Sequence, residues 1–147
     1  MKAGKAASGR SMQQRWLDVF ADPSGATFRA RVAPDVSLAG SAFVRSIVGP
    51  LEVWKALRTS ADIYDHIEFT HSATEGARTY LEWAASALGL QMAGVTVLSV
   101  NDSNLVELVA IHHRPLPAAL SFSVEMRRRL VATMDPTFFY PSAIDGY

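Results

Sequence analysis

The sequence predicts an α+β fold in which helices pack on one face of an antiparallel sheet. Apolar residues recur every three or four positions in much of the first half, which is typical of amphipathic helices. From residue 66 onward, apolar and polar residues alternate, which is typical of half-buried strands. Helices followed by consecutive strands favour this two-layer arrangement over a parallel sheet with crossover helices.

Length and composition indicate one neutral domain. The chain has 147 residues, of which 49% are apolar and 19% charged, and its formal net charge is zero. This length suits a single hydrophobic core, and the neutral charge argues against nucleic acid or a membrane surface as a partner. The sequence lacks the run of about 18 apolar residues that would predict a transmembrane helix. Because it has no cysteine, disulfides and thiolate metal sites are excluded, and we expect a cytoplasmic protein.

We expect three segments along the chain. Residues 1–10 are mostly small or basic and lack the apolar stretch of a secretory signal, so we expect a disordered lead-in. Residues 11–132 contain the periodic patterns and form the predicted domain. Residues 133–147 form a tail with three consecutive aromatic residues from Phe138 to Tyr140. Aromatic side chains seldom stay exposed together, so we expect this tail to pack on the body or on a partner.

Two short helices are predicted first. Ser11 and Gln14 have the spacing of a capping box, which predicts the start of the first helix. A second helix is expected over residues 26–33, because Pro34 disfavours the helical conformation at the residue before it. An extended segment is expected over residues 36–43.

Two further helices flank the strand-rich part of the sequence. The third begins at Gly49-Pro50, since proline suits the first turn of a helix. Its apolar stripe consists of Leu51, Trp54, Leu57, Ala61 and Tyr64. A short final helix is predicted from a cap at Ser121. Three arginines from Arg127 to Arg129 lie in its last turn, where positive charge complements the helix dipole; an anion-binding or nucleic-acid-binding site is the alternative.

The first predicted hairpin places a histidine on an apolar face. A three-residue loop over residues 74–76 would put Gly76 at the left-handed position. This register pairs Ile67 with Trp83, Phe69 with Leu81 and His71 with Thr79. His71 then becomes the ionisable group on the apolar face of the hairpin.

The second predicted hairpin is apolar on both faces. Residues 93–100 and 105–114 flank a turn over residues 101–104. One face carries Val95, Val97, Val106, Leu108, Ala110 and His112, and the other carries Thr96, Leu98, Leu105, Glu107, Val109, Ile111 and His113. A sheet that is apolar on both faces buries both of them. We therefore expect helices to pack on one face and a second copy of the chain to pack on the other.

The order of elements, with several short motifs, resembles the SnoaL-like branch of the nuclear transport factor 2-like superfamily over residues 11–129. The motifs are Gly49-Pro50-Leu51-Glu52, Tyr80-Leu81-Glu82-Trp83, Gly94-Val95-Thr96-Val97-Leu98, Asn101-Asp102 and Leu105-Val106-Glu107. The resemblance implies a cone-shaped curved sheet around an apolar pocket that binds a small apolar molecule. It also implies homodimers through the sheet. The aromatic residues expected to line the pocket are Phe43, Trp54, Phe69 and Trp83.

The catalytic residues that enzymes of that superfamily use are largely missing from the matching positions of this sequence. Isomerases of this kind place a carboxylate on the strand after the second helix, and here residues 36–40 contain no acid. They also use a tyrosine on the first helix, where this chain offers Trp16 and Phe20. SnoaL-type cyclases place an acid near the end of the last strand, and the matching position is about His113.

Histidines remain as candidates for proton transfer. We expect His71 to act as a base, with His113 or Glu107 as its partner. His112 and His113 are neighbours and point to opposite faces, so at most one of them enters the pocket. The four histidines lack the spacing of a metal site, and no phosphate-binding glycine loop follows a strand, so we expect neither metal nor cofactor.

Three functional hypotheses follow. The first is a small-molecule-binding domain that catalyses cofactor-free proton transfer of the isomerase, dehydratase or cyclase type. The second is a non-catalytic, dimeric ligand-binding or association domain. The third is an adaptor that uses the arginines of the last helix and the aromatic tail.

Overall fold

The computed structural model describes residues 11–142 and contains a curved six-stranded sheet with four α-helices. The α+β fold predicted from the sequence is therefore confirmed. The elements are α1 (Met12–Ala21), α2 (Ala26–Arg31), β1 (Val32–Gly40), β2 (Ile47–Val48), α3 (Pro50–Ile63), β3 (His66–Glu75), β4 (Arg78–Ala87), β5 (Leu90–Val100), β6 (Val106–Arg114), α4 (Leu116–Leu130) and a 3₁₀ helix (Pro136–Phe138).

The first two helices begin where polar side chains bond the free backbone N–H groups. The Ser11 hydroxyl accepts a hydrogen bond from the Gln14 N–H at 3.2 Å, which confirms the predicted cap. Before α2, the Asp22 carboxylate accepts hydrogen bonds from the hydroxyl and N–H of Ser24 and from the N–H and hydroxyl of Thr27, and these bonds lower its pKa to about 2. Helix α2 is shorter than predicted, because the chain enters β1 at Val32, two residues before Pro34.

The last helix corrects a sequence-based boundary. The prediction began it at Ser121, but α4 begins at Leu116 and contains Pro117 in its first turn. Proline is tolerated there because the first N–H groups of a helix have no intrahelical partner. With 15 residues, α4 is the longest helix described, and its buried residues include Phe122 and Met126.

The sheet is mixed, whereas an antiparallel one was predicted. Its strand order is β2-β1-β6-β5-β4-β3, and β1 lies parallel to β6. The chain between these two strands includes α3 and the four strands β2 to β5, which gives it the length that a parallel connection needs. The other four pairings are antiparallel.

The first hairpin has a different register from the predicted one. Its loop has two residues, Gly76 and Ala77, because Glu75 pairs with Arg78. An irregularity between Phe69 and His71 then shifts the pairing by one residue. The resulting partners are Phe69 with Trp83, His71 with Glu82 and Ile67 with Ala85.

The second hairpin matches its predicted rows from Leu108 to His113 and departs from them at one bulge. Val100 pairs with Val106, Ser99 pairs with Leu108, and Glu107 is left without an opposite residue. Strands β4, β5 and β6 consequently have two distinct faces. The inner face, which the helices cover, includes Leu81, Trp83, Gly94, Thr96, Ile111 and His113, and the outer face includes Tyr80, Glu82, Val95, Val97, Ala110 and His112.

The described part of the tail lies against the body of the domain. Phe139 is buried and its ring contacts that of Phe43, with 5.9 Å between the ring centroids. The Val44 N–H donates to the Phe138 carbonyl at 2.7 Å, and the Arg45 guanidinium lies 4.1 Å from the Phe138 ring centroid. The predicted lead-in over residues 1–10 and the end of the tail fall outside the described residues. Between residues 11 and 142, no helix has both the length and the apolar character needed to span a membrane.

Candidate ligand-binding site

A cavity of about 150 Å³ lies between the inner face of the sheet and helices α1 and α3. Leu17 and Ile67 lie at its mouth, since each is 39% exposed to solvent. The floor includes the inner-face residues Trp83 and Thr96. The full lining consists of Trp16, Leu17, Phe20, Leu57, Ser60, Ala61, Tyr64, Ile67, Phe69, Trp83, Thr96 and Ile111.

Few polar groups reach this cavity. Ser60 donates its hydroxyl to the Leu57 carbonyl at 2.9 Å, so it is satisfied within α3. Thr96 accepts a hydrogen bond from the Trp83 indole N–H at 3.1 Å. Tyr64 is the only residue of the described lining that has an ionisable side chain, and no carboxylate lines the cavity. The site therefore favours a mostly apolar ligand with few polar atoms.

Tyr64 connects the cavity to a buried histidine. Its hydroxyl lies 2.8 Å from His113 Nε2. On the other side of the imidazole, Nδ1 lies 3.4 Å from the Ser41 hydroxyl, which also accepts the His113 backbone N–H at 2.7 Å. We call these three residues the Ser41–His113–Tyr64 triad.

Gly94, the residue opposite His113, leaves space on the inner face for the Trp83 ring. Gly94 pairs with His113 on one side and with Trp83 on the other. A Cβ atom on Gly94 would lie 2.5 Å from Cζ2 of Trp83, which is closer than side chains tolerate. The Trp83 and Phe122 rings lie 5.1 and 4.6 Å from the imidazole centroid. Aromatic rings thus pack around His113.

Burial keeps the triad uncharged near neutral pH. Desolvation, together with charge repulsion from the neighbouring His112, lowers the pKa of His113 to about 4. Desolvation also raises the pKa of Tyr64 well above its usual value of 10.0. At pH 7 the pair is therefore a neutral phenol hydrogen-bonded to a neutral imidazole.

The four predicted aromatic lining residues divide into two pairs. Phe69 and Trp83 line the cavity. Trp54 lies outside the lining and stacks on Phe28 at a centroid distance of 5.1 Å. Phe43 packs against the tail instead.

Two of the three predicted catalytic side chains lie away from the cavity. His71 was expected on the apolar face, but the irregularity next to it places it opposite Glu82, exposed on the outer face. Glu107 was expected in the inner row, but as the extra residue of the β6 bulge it is exposed. His113 faces inward, lies outside the lining and contacts two lining residues, Tyr64 through a hydrogen bond and Trp83 through its ring.

Several residues of the site were missed by the sequence analysis. Tyr64 did carry a signal, because it is the last residue of the predicted α3 stripe and the only one with a hydroxyl. Thr96 and Gly94 belonged to a predicted strand, but nothing in the alternation marks them as polar or steric determinants. Ser41 had no local signal, since 72 residues separate it from His113.

The structure also describes the surroundings of the predicted arginine patch. Glu125 accepts hydrogen bonds from Arg128 and Arg129, which hold its pKa near 2. Arg127 donates to the Pro136 carbonyl at 3.2 Å. Each arginine thus has a partner within the chain. Over residues 11–142, no three histidine or carboxylate side chains converge in a way that could hold a metal ion.

The same architecture occurs in solved structures. An uncharacterised protein with a cystatin-like fold from Silicibacter pomeroyi DSS-3 aligns with a TM-score of 0.75 and 19% identity, covering 82% of this chain and 85% of that one. This chain has the cystatin-like fold. A steroid delta-isomerase from Pseudomonas aeruginosa aligns with a TM-score of 0.74 and 19% identity, covering 82% and 89% of the two chains.

A third similar structure belongs to the branch that the sequence resembles. It is a protein from Jannaschia sp. CCS1, provisionally assigned as a SnoaL-like polyketide cyclase, with a TM-score of 0.59 and 13% identity over 78% of this chain and 96% of that one. No protein-family model matches the sequence, and no curated protein matches it. The predicted resemblance is confirmed at the level of the fold.

Proposed function

We propose that this chain binds a small, mostly apolar molecule of about the size of one aromatic ring, and that Tyr64 orients it through a single oxygen or nitrogen atom. The observation that carries this proposal is the cavity of about 150 Å³, whose mostly apolar lining includes Tyr64, the residue whose hydroxyl contacts His113. An apolar cavity of roughly this volume in another protein accommodates benzene.

The buried histidine supports Tyr64 as the orienting group. A phenol hydroxyl that is already hydrogen-bonded to His113 is held in one place, so little rotational freedom is lost when a ligand binds. The absence of a carboxylate from the described lining makes binding a better-supported function than the carboxylate-dependent chemistry of isomerases.

Calorimetric titration with toluene and benzaldehyde tests this proposal, because the two probes share a ring and differ in the carbonyl. In Tyr64→Phe, the ratio of benzaldehyde affinity to toluene affinity should fall by about 3- to 10-fold, the value of one neutral hydrogen bond. Tyr80→Phe is the matched control, since Tyr80 lies on the outer face, and it should leave the ratio unchanged. Absence of binding of both probes, or an unchanged ratio in Tyr64→Phe, would contradict the proposal.

Cofactor-free proton transfer is the second candidate function, and the triad favours it because it links the cavity to an imidazole. Acetophenone tests this candidate, since its methyl protons exchange with solvent through the enol. NMR in D₂O should then show faster deuterium incorporation with the wild type than with Tyr64→Phe. Equal exchange rates would leave binding as the function of the cavity.

A further inference from the structure

The Ser41–His113–Tyr64 triad can hold its protons in two arrangements that both satisfy the imidazole. In the first, the Ser41 hydroxyl donates to Nδ1 and Nε2–H donates to the Tyr64 oxygen. In the second, the Tyr64 hydroxyl donates to Nε2 and Nδ1–H donates to the Ser41 oxygen. The imidazole is neutral in both, and the two differ in which ring nitrogen carries its proton.

The two arrangements differ in whether the Tyr64 hydroxyl is free to donate or to accept a hydrogen bond from a ligand. In the first, the Tyr64 oxygen accepts from His113 and its own proton is free to donate to a ligand carbonyl. In the second, the Tyr64 proton is used by His113, and the remaining lone pairs can accept from a ligand O–H or N–H. Ser41 is half-buried, so in the second arrangement its own proton can turn towards water.

We propose that the triad reverses its hydrogen-bond direction according to the ligand, so that one site binds both hydrogen-bond-accepting and hydrogen-bond-donating ring compounds. This inference rests on the proposed binding function and extends it to pairs such as a ketone and its alcohol or enol. Ser41 and His113 are positioning residues in this scheme, because they act on the ligand through Tyr64.

The surroundings of His113 support a neutral, two-state imidazole. The rings of Tyr64, Trp83 and Phe122 lie within 6.2 Å of its centroid, and both ring nitrogens have a hydroxyl as partner. A hydroxyl can donate or accept, whereas a carboxylate would fix the tautomer by accepting only. The low pKa of His113 agrees with an imidazole that stays neutral when either ligand is bound.

Nitrogen-15 NMR of the labelled imidazole tests the reversal directly. Benzaldehyde is an acceptor-only probe and pyrrole is a donor-only probe. Saturation with benzaldehyde should place the proton on Nε2 of His113, and saturation with pyrrole should place it on Nδ1. The His113 signals are assigned as those missing from His113→Asn.

Ser41→Ala is the variant that separates the two states. Without Ser41, an Nδ1–H would be buried without an acceptor, whereas an unprotonated Nδ1 leaves only a lone pair unused. We therefore expect Nε2–H with both probes and a loss of pyrrole affinity of about tenfold, with a smaller loss for benzaldehyde. Ser41→Thr keeps the hydroxyl and should restore the pyrrole response.

The outcomes of these NMR and affinity measurements distinguish a failure of the proposed reversal from a failure of the proposed binding function. If both probes bind to the wild type and leave the proton on the same nitrogen, the reversal is wrong and the binding function stands. If neither probe binds at saturating concentration, the proposed function itself fails. An equal loss of affinity for both probes in Ser41→Ala would also overturn the reversal.

Discussion

Strand β6 carries two adjacent histidines in opposite environments. His113 is 8% exposed, lies among aromatic rings and has a hydroxyl partner on each ring nitrogen. His112, one residue earlier, lies on the outer face and is exposed. The comparison shows that the face of the sheet on which a histidine lies, and not the residue type, decides whether its imidazole is buried and hydrogen-bonded.

The same contrast extends across the two faces of the sheet. The helices cover the inner face and leave a cavity between them and the strands. The outer face has an apolar row formed by Tyr80, Val95, Val97, Leu108 and Ala110. Within that row Tyr80 is 38% exposed, whereas Val97 and Ala110 are buried.

The largest effect is expected from adding one methyl group to the inner face. In Gly94→Ala, the new Cβ would lie 2.0 Å from the His112 carbonyl oxygen and 2.5 Å from Trp83, so the strands must separate. Chemical denaturation should show a loss of about 3 kcal/mol in the free energy of unfolding. Gly89→Ala is the matched control. Its Cβ would have no neighbour within 4 Å, and its positive φ costs only about 1 kcal/mol. Equal losses would argue against a steric role for Gly94.

The second effect is a loss of stability in acid that depends on His113. Its pKa is about 4 in the folded protein and 6.5 for an unperturbed histidine, so the unfolded chain binds the proton first as the pH falls. The contribution is complete above pH 6.5 and should decline by roughly 3 kcal/mol as the pH falls to about 4.

Denaturation curves between pH 7 and pH 4 for two variants measure this contribution. His113→Gln should lose most of the acid dependence, because the titrating group is gone. His112→Gln, the exposed neighbour, should retain most of it. An identical acid dependence in the wild type and His113→Gln would show that other groups cause the loss.

Substitutions on the outer face should have the smallest effect on the stability of the fold. They should change the oligomeric state instead. We expect a homodimer through the apolar row, as predicted from the two apolar rows of the second hairpin. Light scattering at micromolar protein should give the mass of two chains for the wild type and of one chain for Val95→Lys. His71→Ala, at the edge strand of the same face, should remain dimeric. A wild-type monomer would contradict the expectation.

The two hairpins show why only part of the site could be predicted. In the second hairpin, alternation and a polar turn correctly placed Thr96, Ile111 and His113 on one face. In the first, the actual loop of Gly76 and Ala77 and the irregularity before His71 moved that histidine outward. A bulge adds one residue without altering the local composition, so alternation alone does not reveal it.

The predicted α3 stripe was right for Trp54 and Leu57, which are buried, and wrong for Leu51, which is 63% exposed. The sequence by itself determined the α+β class and the two faces of the second hairpin from Leu108 to His113, because these depend on periodicities of a few residues. It also excluded thiol chemistry. Only the tertiary structure decided that Tyr64, His113 and Ser41 meet, since these residues come from a helix end, a strand and a loop. The parallel pairing of β1 with β6 brings Gly40 opposite Ile111 and so places Ser41 near His113, and this pairing is a property of the packed sheet.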